Sequence, residues 1–242
     1  MPKPVVLLTA TIECGETPLV ERQDVNVRES DYLWAIKGWI QAKGYDTFIF
    51  CENSGAPLQK LEEYASRFNK FQHQLVFLSC NKNTGARKRG KGYGEMEIIR
   101  HAIDSVPDLD PRQLIVKVTG RHRAYNATRL LRKLSGSTVD IACVLRRNLS
   151  QADSRLFGIT VKCARDQLLP RQETINDLEG RYFEHVLADA VHSTIVNGGK
   201  WSLLPCDPLL HGFSGTSGIR FGFSLFERAK STLRHYLATR LY

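Results

Sequence analysis

Val5-Val6-Leu7-Leu8-Thr9-Ala10-Thr11-Ile12 is an almost continuous apolar run, broken only by two threonines. A strand buried on both faces of a parallel sheet reads this way, whereas a half-exposed strand alternates. Outward from it, polar residues run from Glu13 to Glu29. Ser30 or Asp31 is then placed to cap a helix whose Leu33, Trp34, Ile36, Trp39 and Ile40 are helix-spaced, until Gly44 ends it. Thr47-Phe48-Ile49-Phe50-Cys51 reads as the second strand. The cycle repeats with the turn Glu52 to Pro57, a helix over residues 58–68 and a third strand over residues 74–80. A basic, glycine-rich loop spans Asn81 to Gly94, a helix follows over residues 95–103, and Leu114-Ile115-Val116-Lys117-Val118 is a fourth strand that ends at Thr119-Gly120-Arg121. Alternating strands and helices predict a parallel sheet with right-handed crossovers, and such sheets take ligands beyond the carboxyl ends of their strands.

The second half is less regular. It reads as a helix over 126–134, strands over 139–145 and 156–161, a helix over 182–196, a glycine-rich loop from His211 to Gly222 and a last helix over 225–241. The 242 residues fit one α/β domain, with halves at 4–125 and 126–242 and no low-complexity linker between them. No stretch is long and apolar enough to cross a bilayer, and the amino terminus lacks a signal-peptide pattern, so the expected location is the cytoplasm. The six cysteines are scattered, with no metal-binding spacing, and are expected to be reduced thiols. An excess of Lys and Arg over Asp and Glu, 34 against 25, gives a formal charge of +9 and implies an anionic partner.

Three places gather polar chemistry at strand ends. Glu52-Asn53-Ser54 follows the second strand, where an acceptor-only carboxylate suits a base or a ribose hydroxyl; the same residues equally suit a capped turn. Asn81 to Glu95 carries five basic residues and four glycines before a helix, which favours phosphate, or else forms a solvated basic loop. It is neither a P-loop nor a dinucleotide fingerprint. Lys117 to Arg123 brings a lysine, two arginines and His122 out of an apolar strand, where an inward lysine must meet an anion or pair with a neighbouring acid.

Taken together, residues 4–125 resemble the GT-A nucleotide-diphospho-sugar glycosyltransferases. The resemblance implies a GT-A-like (Rossmann-like), mostly parallel sheet flanked by helices. It implies a nucleoside held at Glu52 and Asn53, and a helix start like Gly90-Lys91-Gly92 near the phosphates. In that family the fourth strand ends in an Asp-x-Asp that binds a divalent metal; here the position reads Lys117-Val118-Thr119-Gly120-Arg121. The expected donor site therefore comprises Thr9, Thr11, Glu52, Asn53, Lys91, Gly92, Lys117, Thr119, Gly120, Arg121 and Arg123. No metal ligand or cofactor is expected, because guanidinium and ammonium groups can neutralise the leaving phosphate directly. A CMP-activated donor, with one phosphate, is as compatible as an NDP-sugar. The family pattern puts a general base late in the chain, where Glu179, Glu184 and Asp177 are the candidates in that order, with helix capping or surface charge as the alternative for each. Ser214, Thr216 and Arg220 stand in a glycine-rich loop that would close over the donor or serve as a plain connection.

The activity so implied is sugar transfer from a nucleotide-activated donor to a glycan or lipid-linked saccharide, in cell-surface polysaccharide biosynthesis. The last helix, with Arg228, Lys230, Arg234 and Arg240 beside leucines, either docks on an anionic inner membrane face or packs on the core. A sugar nucleotidyltransferase is the first rival, lowered by the lack of its glycine-rich, arginine-containing signature after the first strand. A nucleic-acid-binding module is the second, and without an RNA-reading aromatic motif or zinc-finger spacing nucleic acid is not the favoured partner.

Overall fold

The computed structural model describes residues 2–18, 20–81, 83–213 and the backbone of 220–221. The apolar run at the start forms β1 (Val5–Ala10), with all six residues buried. It lies between β2 (Thr47–Glu52) and β4 (Leu114–Thr119), parallel to both, and β3 (Gln74–Ser79) extends the sheet beyond β2. Helices α1 (Val25–Ile40), α2 (Gln59–Phe68) and α4 (Lys91–Ser105) make the crossovers, with a short α3 (Thr84–Arg89) ahead of α4. Side chains alternate across β1. Val6 and Leu8 join Tyr32, Trp39 and Phe50 on the α1 face, while Val5 and Leu7 join Met96, Ile99, Phe157 and Phe183 on the α4 face. The expected continuous burial of this strand follows from having a core on each side.

After β4 the chain leaves the sheet at Gly120 and forms β5 (His122–Ala124) and α5 (Ala127–Leu134). The expected strand over 139–145 is two short pieces, β6 (Ile141–Ala142) and β7 (Leu145–Arg146), the latter paired with β8 (Gln151–Ala152). Strand β9 (Leu156–Thr160) runs antiparallel between β4 and β6. A short α6 (Val161–Cys163) continues through wide and tight helical turns to Glu179, and α7 (Phe183–Val196) leads to β10 (Trp201–Ser202). The seven-stranded sheet has the order β10, β6, β9, β4, β1, β2, β3. A second sheet joins β5, β11 (Leu210–Phe213) and β12 (Arg220–Phe221). The expected last helix and the loop residues Ser214 and Thr216 lie outside the described residues, and Arg220 is described as backbone only.

Two boundaries differ from the sequence reading, each for a local reason. Helix α1 begins at Val25 because Asp24 caps it, accepting from Val27 N at 2.8 Å. Asp31, expected as a cap, is instead paired with Arg22 at 2.6 and 2.9 Å. Residues 81–94, expected as a loop, hold α3 and the first turn of α4, broken only at Gly90, where φ is 100°. A Cβ on Gly94 would come within 2.7 Å of the Ala86 Cβ, so this glycine serves close packing of the two helices. Truncating Leu8 to Ala in the buried centre of β1 is expected to cost about 2–5 kcal/mol, against about 1 kcal/mol for Asp24→Ala at the exposed cap, both read by urea unfolding.

Candidate functional site

The carboxyl ends of β1 and β4 open into a cleft of about 270 Å³. Its walls come from both halves of the chain: Thr9 and Thr11 from β1 and its tail, Arg28 and Tyr32 from α1, Lys91 and Glu95 from α4. Thr119, Arg121 and His122 enter from the end of β4, and Ser154, Arg155 and Glu184 from across the sheet. Five of the expected donor residues, Thr9, Thr11, Lys91, Thr119 and Arg121, are thus brought to one cavity, and so is the base candidate Glu184.

Other expected residues build the underside of the cleft. Glu52 is fully buried, and its carboxylate accepts from Ile12 N at 2.9 Å, Ser54 N at 2.8 Å and Gly55 N at 3.0 Å, with the hydroxyls of Ser54 and Ser79 besides. A carboxylate with these donors fastens the tail of β1 to the turn after β2 and has little acceptor capacity left for a nucleoside. Asn53 is also fully buried and accepts from Thr11 Oγ1 at 2.7 Å. The amide of Gly92 donates to Asp177 at 2.9 Å and that of Gly120 to Thr9 O at 2.9 Å, so neither amide is open to a phosphate. Asp177 therefore caps α4, and burial raises its carboxyl above the ordinary aspartate value. Glu179 is exposed and does not belong to the cleft wall. Arg123 turns to the opposite side of β5, where its guanidinium lies 5.8 Å over the Trp34 ring and 5.6 Å over that of Tyr125.

Lys117 meets an acid, as an inward lysine must. It is fully buried in the middle of β4, ion-paired with Glu95 and bonded to Ser154 O at 2.7 Å and Thr119 Oγ1 at 3.3 Å. The rings of Phe157 and Phe183 flank the ammonium at 5.6 and 5.8 Å. Thr9 Oγ1 donates to the same Glu95 oxygen at 3.2 Å, which holds that carboxylate at the cleft floor. Ser154 Oγ donates to Glu184 at 2.7 Å, so the second cleft carboxylate is braced from the residue that binds Lys117.

The cations of the cleft are unevenly matched. Arg155 forms a two-pronged pair with Asp153 at 2.9 and 2.6 Å. Arg28, almost wholly buried in the cleft wall, is held by neutral oxygens: the Thr11 carbonyl, Arg22 O at 2.8 Å and the Tyr32 hydroxyl at 3.0 Å. Arg121 is 8% exposed, and its Nη1 has no hydrogen-bond partner among the described residues. Burial, with the nearby Arg28 charge adding to it, lowers this guanidinium from the ordinary arginine value. A buried guanidinium without an acid is costly, and an arriving anion relieves the cost. His122 beside it is held neutral: burial first, then the charges of Arg121, Arg155 and Lys117, push its imidazole down to about 3.

The sequence reading missed Arg28, Tyr32, Glu95, Asn83, Ser154 and Arg155. Arg28 and Tyr32 are four residues apart and so share a helix face, which was legible only if α1 was known to start at Val25.

No family model and no curated protein matches the chain. Solved structures do resemble it. The apo-form glycosyltransferase GlyE of Streptococcus pneumoniae is 10% identical with a TM-score of 0.50, over 83% of this chain and 45% of that one. The galactosyltransferase LgtC, in complex with donor and acceptor sugar analogs, is 9% identical with a TM-score of 0.49, over 76% of this chain and 69% of that one. The 2-C-methyl-D-erythritol 4-phosphate cytidylyltransferase of Francisella tularensis is 9% identical with a TM-score of 0.44, over 98% and 99%. This chain spans less than half the length of GlyE. The likeness is one of fold: a mixed α/β, GT-A-like architecture with a central, mostly parallel seven-stranded sheet flanked by helices. Among the described residues no helix is long and apolar enough to cross a membrane.

The neutral imidazole of His122 makes stability depend on pH. Its unfolded counterpart takes up a proton near 6.5, so the His122 contribution is fully present above pH 6.5 and is lost as pH falls towards about 3. In urea unfolding across that window, His122→Gln is expected to flatten the pH slope; an unchanged slope would show that His122 titrates normally in the fold.

Proposed function

We propose that the protein is a glycosyltransferase that moves a sugar from a nucleotide-activated donor, an NDP- or CMP-sugar, to a hydroxyl of a glycan or lipid-linked saccharide. The observation that carries this reading is the buried guanidinium of Arg121, unpartnered among the described residues, beside Arg28 at the carboxyl end of β4. On a GT-A-like sheet this is where the leaving phosphate lies in the family that residues 4–125 resemble. The reading keeps the chain as one unit, with a donor half at 4–125 and an acceptor half at 126–242. A cleft whose walls come from both halves supports it. A place in cell-surface polysaccharide assembly, with the acceptor presented at an anionic inner membrane face, belongs to the same proposal.

In the reaction the acceptor hydroxyl forms the new glycosidic bond as the bond from the anomeric carbon to the phosphate oxygen breaks. Glu184, oriented by Ser154, takes the hydroxyl proton, and Arg121 with Lys91 receives the charge left on the phosphate. Glu184 replaces Glu179 as the first choice of base because it is the one of the two in the cleft wall. The residues fit a divalent metal poorly. The Asp-x-Asp position is occupied by the Lys117 ammonium, and among the described residues no three His, Cys, Asp or Glu side chains gather to hold an ion. Transfer without a metal is therefore part of the proposal.

Calorimetry of nucleotides and nucleotide-sugars with EDTA present is expected to show binding. Binding that vanishes on chelation and returns with manganese would refute metal independence. Arg121→Met is expected to weaken binding and turnover roughly ten- to a hundredfold, while leaving the free protein as stable or more stable, because it removes a buried charge that has no carboxylate partner among the described residues. Arg129→Met, at an exposed site on α5, changes neither. An Arg121 variant that unfolds more easily and binds normally would make the residue structural. Glu184→Gln is expected to lower kcat by about 10²–10⁴ with little change in donor KM. Equal effects on kcat/KM through donor affinity alone would remove it as the base.

A further inference from the structure

A second residue of the cleft wall has a polar atom with no hydrogen-bond partner among the described residues. Asn83 is 4% exposed, and its Oδ1 has no hydrogen-bond partner among the described residues. Its Nδ2 donates to the carbonyls of Glu13 at 3.2 Å and Cys14 at 3.4 Å. Those two bonds fix the orientation of the amide and leave its buried oxygen as an acceptor without a donor among the described residues. Small apolar side chains, Cys14, Val20 and Ala86, line the same cleft, together with Thr17. Arg28 and Arg121 line that cleft as well.

We propose that Asn83 reads the hydrogen-bonding edge of the donor nucleobase, with the ring against Cys14, Val20 and Ala86 and the phosphates at Arg121 and Arg28. The inference rests on the nucleotide-donor reading above and moves the nucleoside from Glu52 to Asn83. Two physical arguments support the move. The Glu52 oxygens already accept from four backbone amides and two hydroxyls, whereas the Asn83 oxygen accepts from none among the described residues. A ligand that satisfies both orphaned atoms must carry an N–H or O–H donor at one end and an anion at the other. A nucleotide has this polarity: each common base displays an N–H on its pairing edge, and its flat faces suit an apolar wall.

The test is calorimetry of the full-length chain in magnesium buffer with UDP, GDP, CDP and ADP, each compared with inorganic pyrophosphate. One nucleotide is expected to bind more tightly than pyrophosphate. Asn83→Ala should then weaken that nucleotide about three- to tenfold and leave pyrophosphate unchanged. The analogue of the same nucleotide N-methylated on its pairing edge should lose a similar factor with the wild type and nothing further with Asn83→Ala. Because Asn83 also anchors the turn at Glu13 and Cys14, the methylated analogue on the unaltered protein decides the matter if the variant does not fold. Equal losses for nucleotide and pyrophosphate, or a methylated analogue that binds undiminished, would overturn the role of Asn83 and leave the donor reading standing. Nucleotides that bind no better than pyrophosphate would overturn the donor reading itself.

Discussion

An ammonium in the middle of a buried strand has to be neutralised where it stands, and the ion pair of Lys117 with Glu95 ties together the parts from which the cleft is made. It fastens α4 to β4. Through the carbonyl of Ser154 it also fixes the turn ahead of β9, and Ser154 in turn orients Glu184 on α7. Thr9 and Thr119 donate to the same carboxylate, so the ends of β1 and β4 are registered on it as well. Removing either partner would leave a buried charge alone, so the pair constrains the cleft whatever its net contribution to stability.

Beside this closed pair, other charges remain open. Arg22 is closed by Asp31 and Arg155 by Asp153. Arg28 and Arg121 have no carboxylate of their own among the described residues, although both are almost wholly buried. Carbonyls and a phenol compensate Arg28, whereas burial of the Arg121 guanidinium without a carboxylate of its own among the described residues carries a standing electrostatic cost, and function is the ordinary reason for such a cost. Arg28 and Arg121 stand at the strand ends, where a parallel sheet binds its ligands.

Much of the sheet was legible because β1, β2, β3 and β4 are apolar runs separated by turn residues; burial on both faces leaves that mark on β1, β2 and β4, while β3 at the sheet edge is only partly buried. The start of α1 was not, since Val25 and Val27 are exposed and its first turn carries no apolar periodicity. Helix α3 has only Ala86 buried, so it owes its place to packing against Gly94 and leaves no pattern to read. In the cleft, the residues at the ends of β1 and β4 were found because strand ends are where ligands bind. Glu52 shows the limit of that rule: a strand-end acid faces either a ligand or the backbone amides of its own turn, and only the fold decides which. Arg28 lay in a stretch read as a polar connection and Asn83 in a loop read for its basic residues and glycines, and in both a side chain gains meaning from neighbours distant in sequence.

The central claim is that guanidinium groups, led by Arg121, receive the donor phosphates directly. Phosphorus NMR tests it on the phosphates themselves, by titrating metal-free protein into each common nucleoside diphosphate. The account predicts that the phosphorus resonances of the nucleotide shift with EDTA present and that Arg121→Met needs roughly ten to a hundred times more protein for the same shift. Resonances that move only after magnesium is added, or that move equally with the variant, would contradict it.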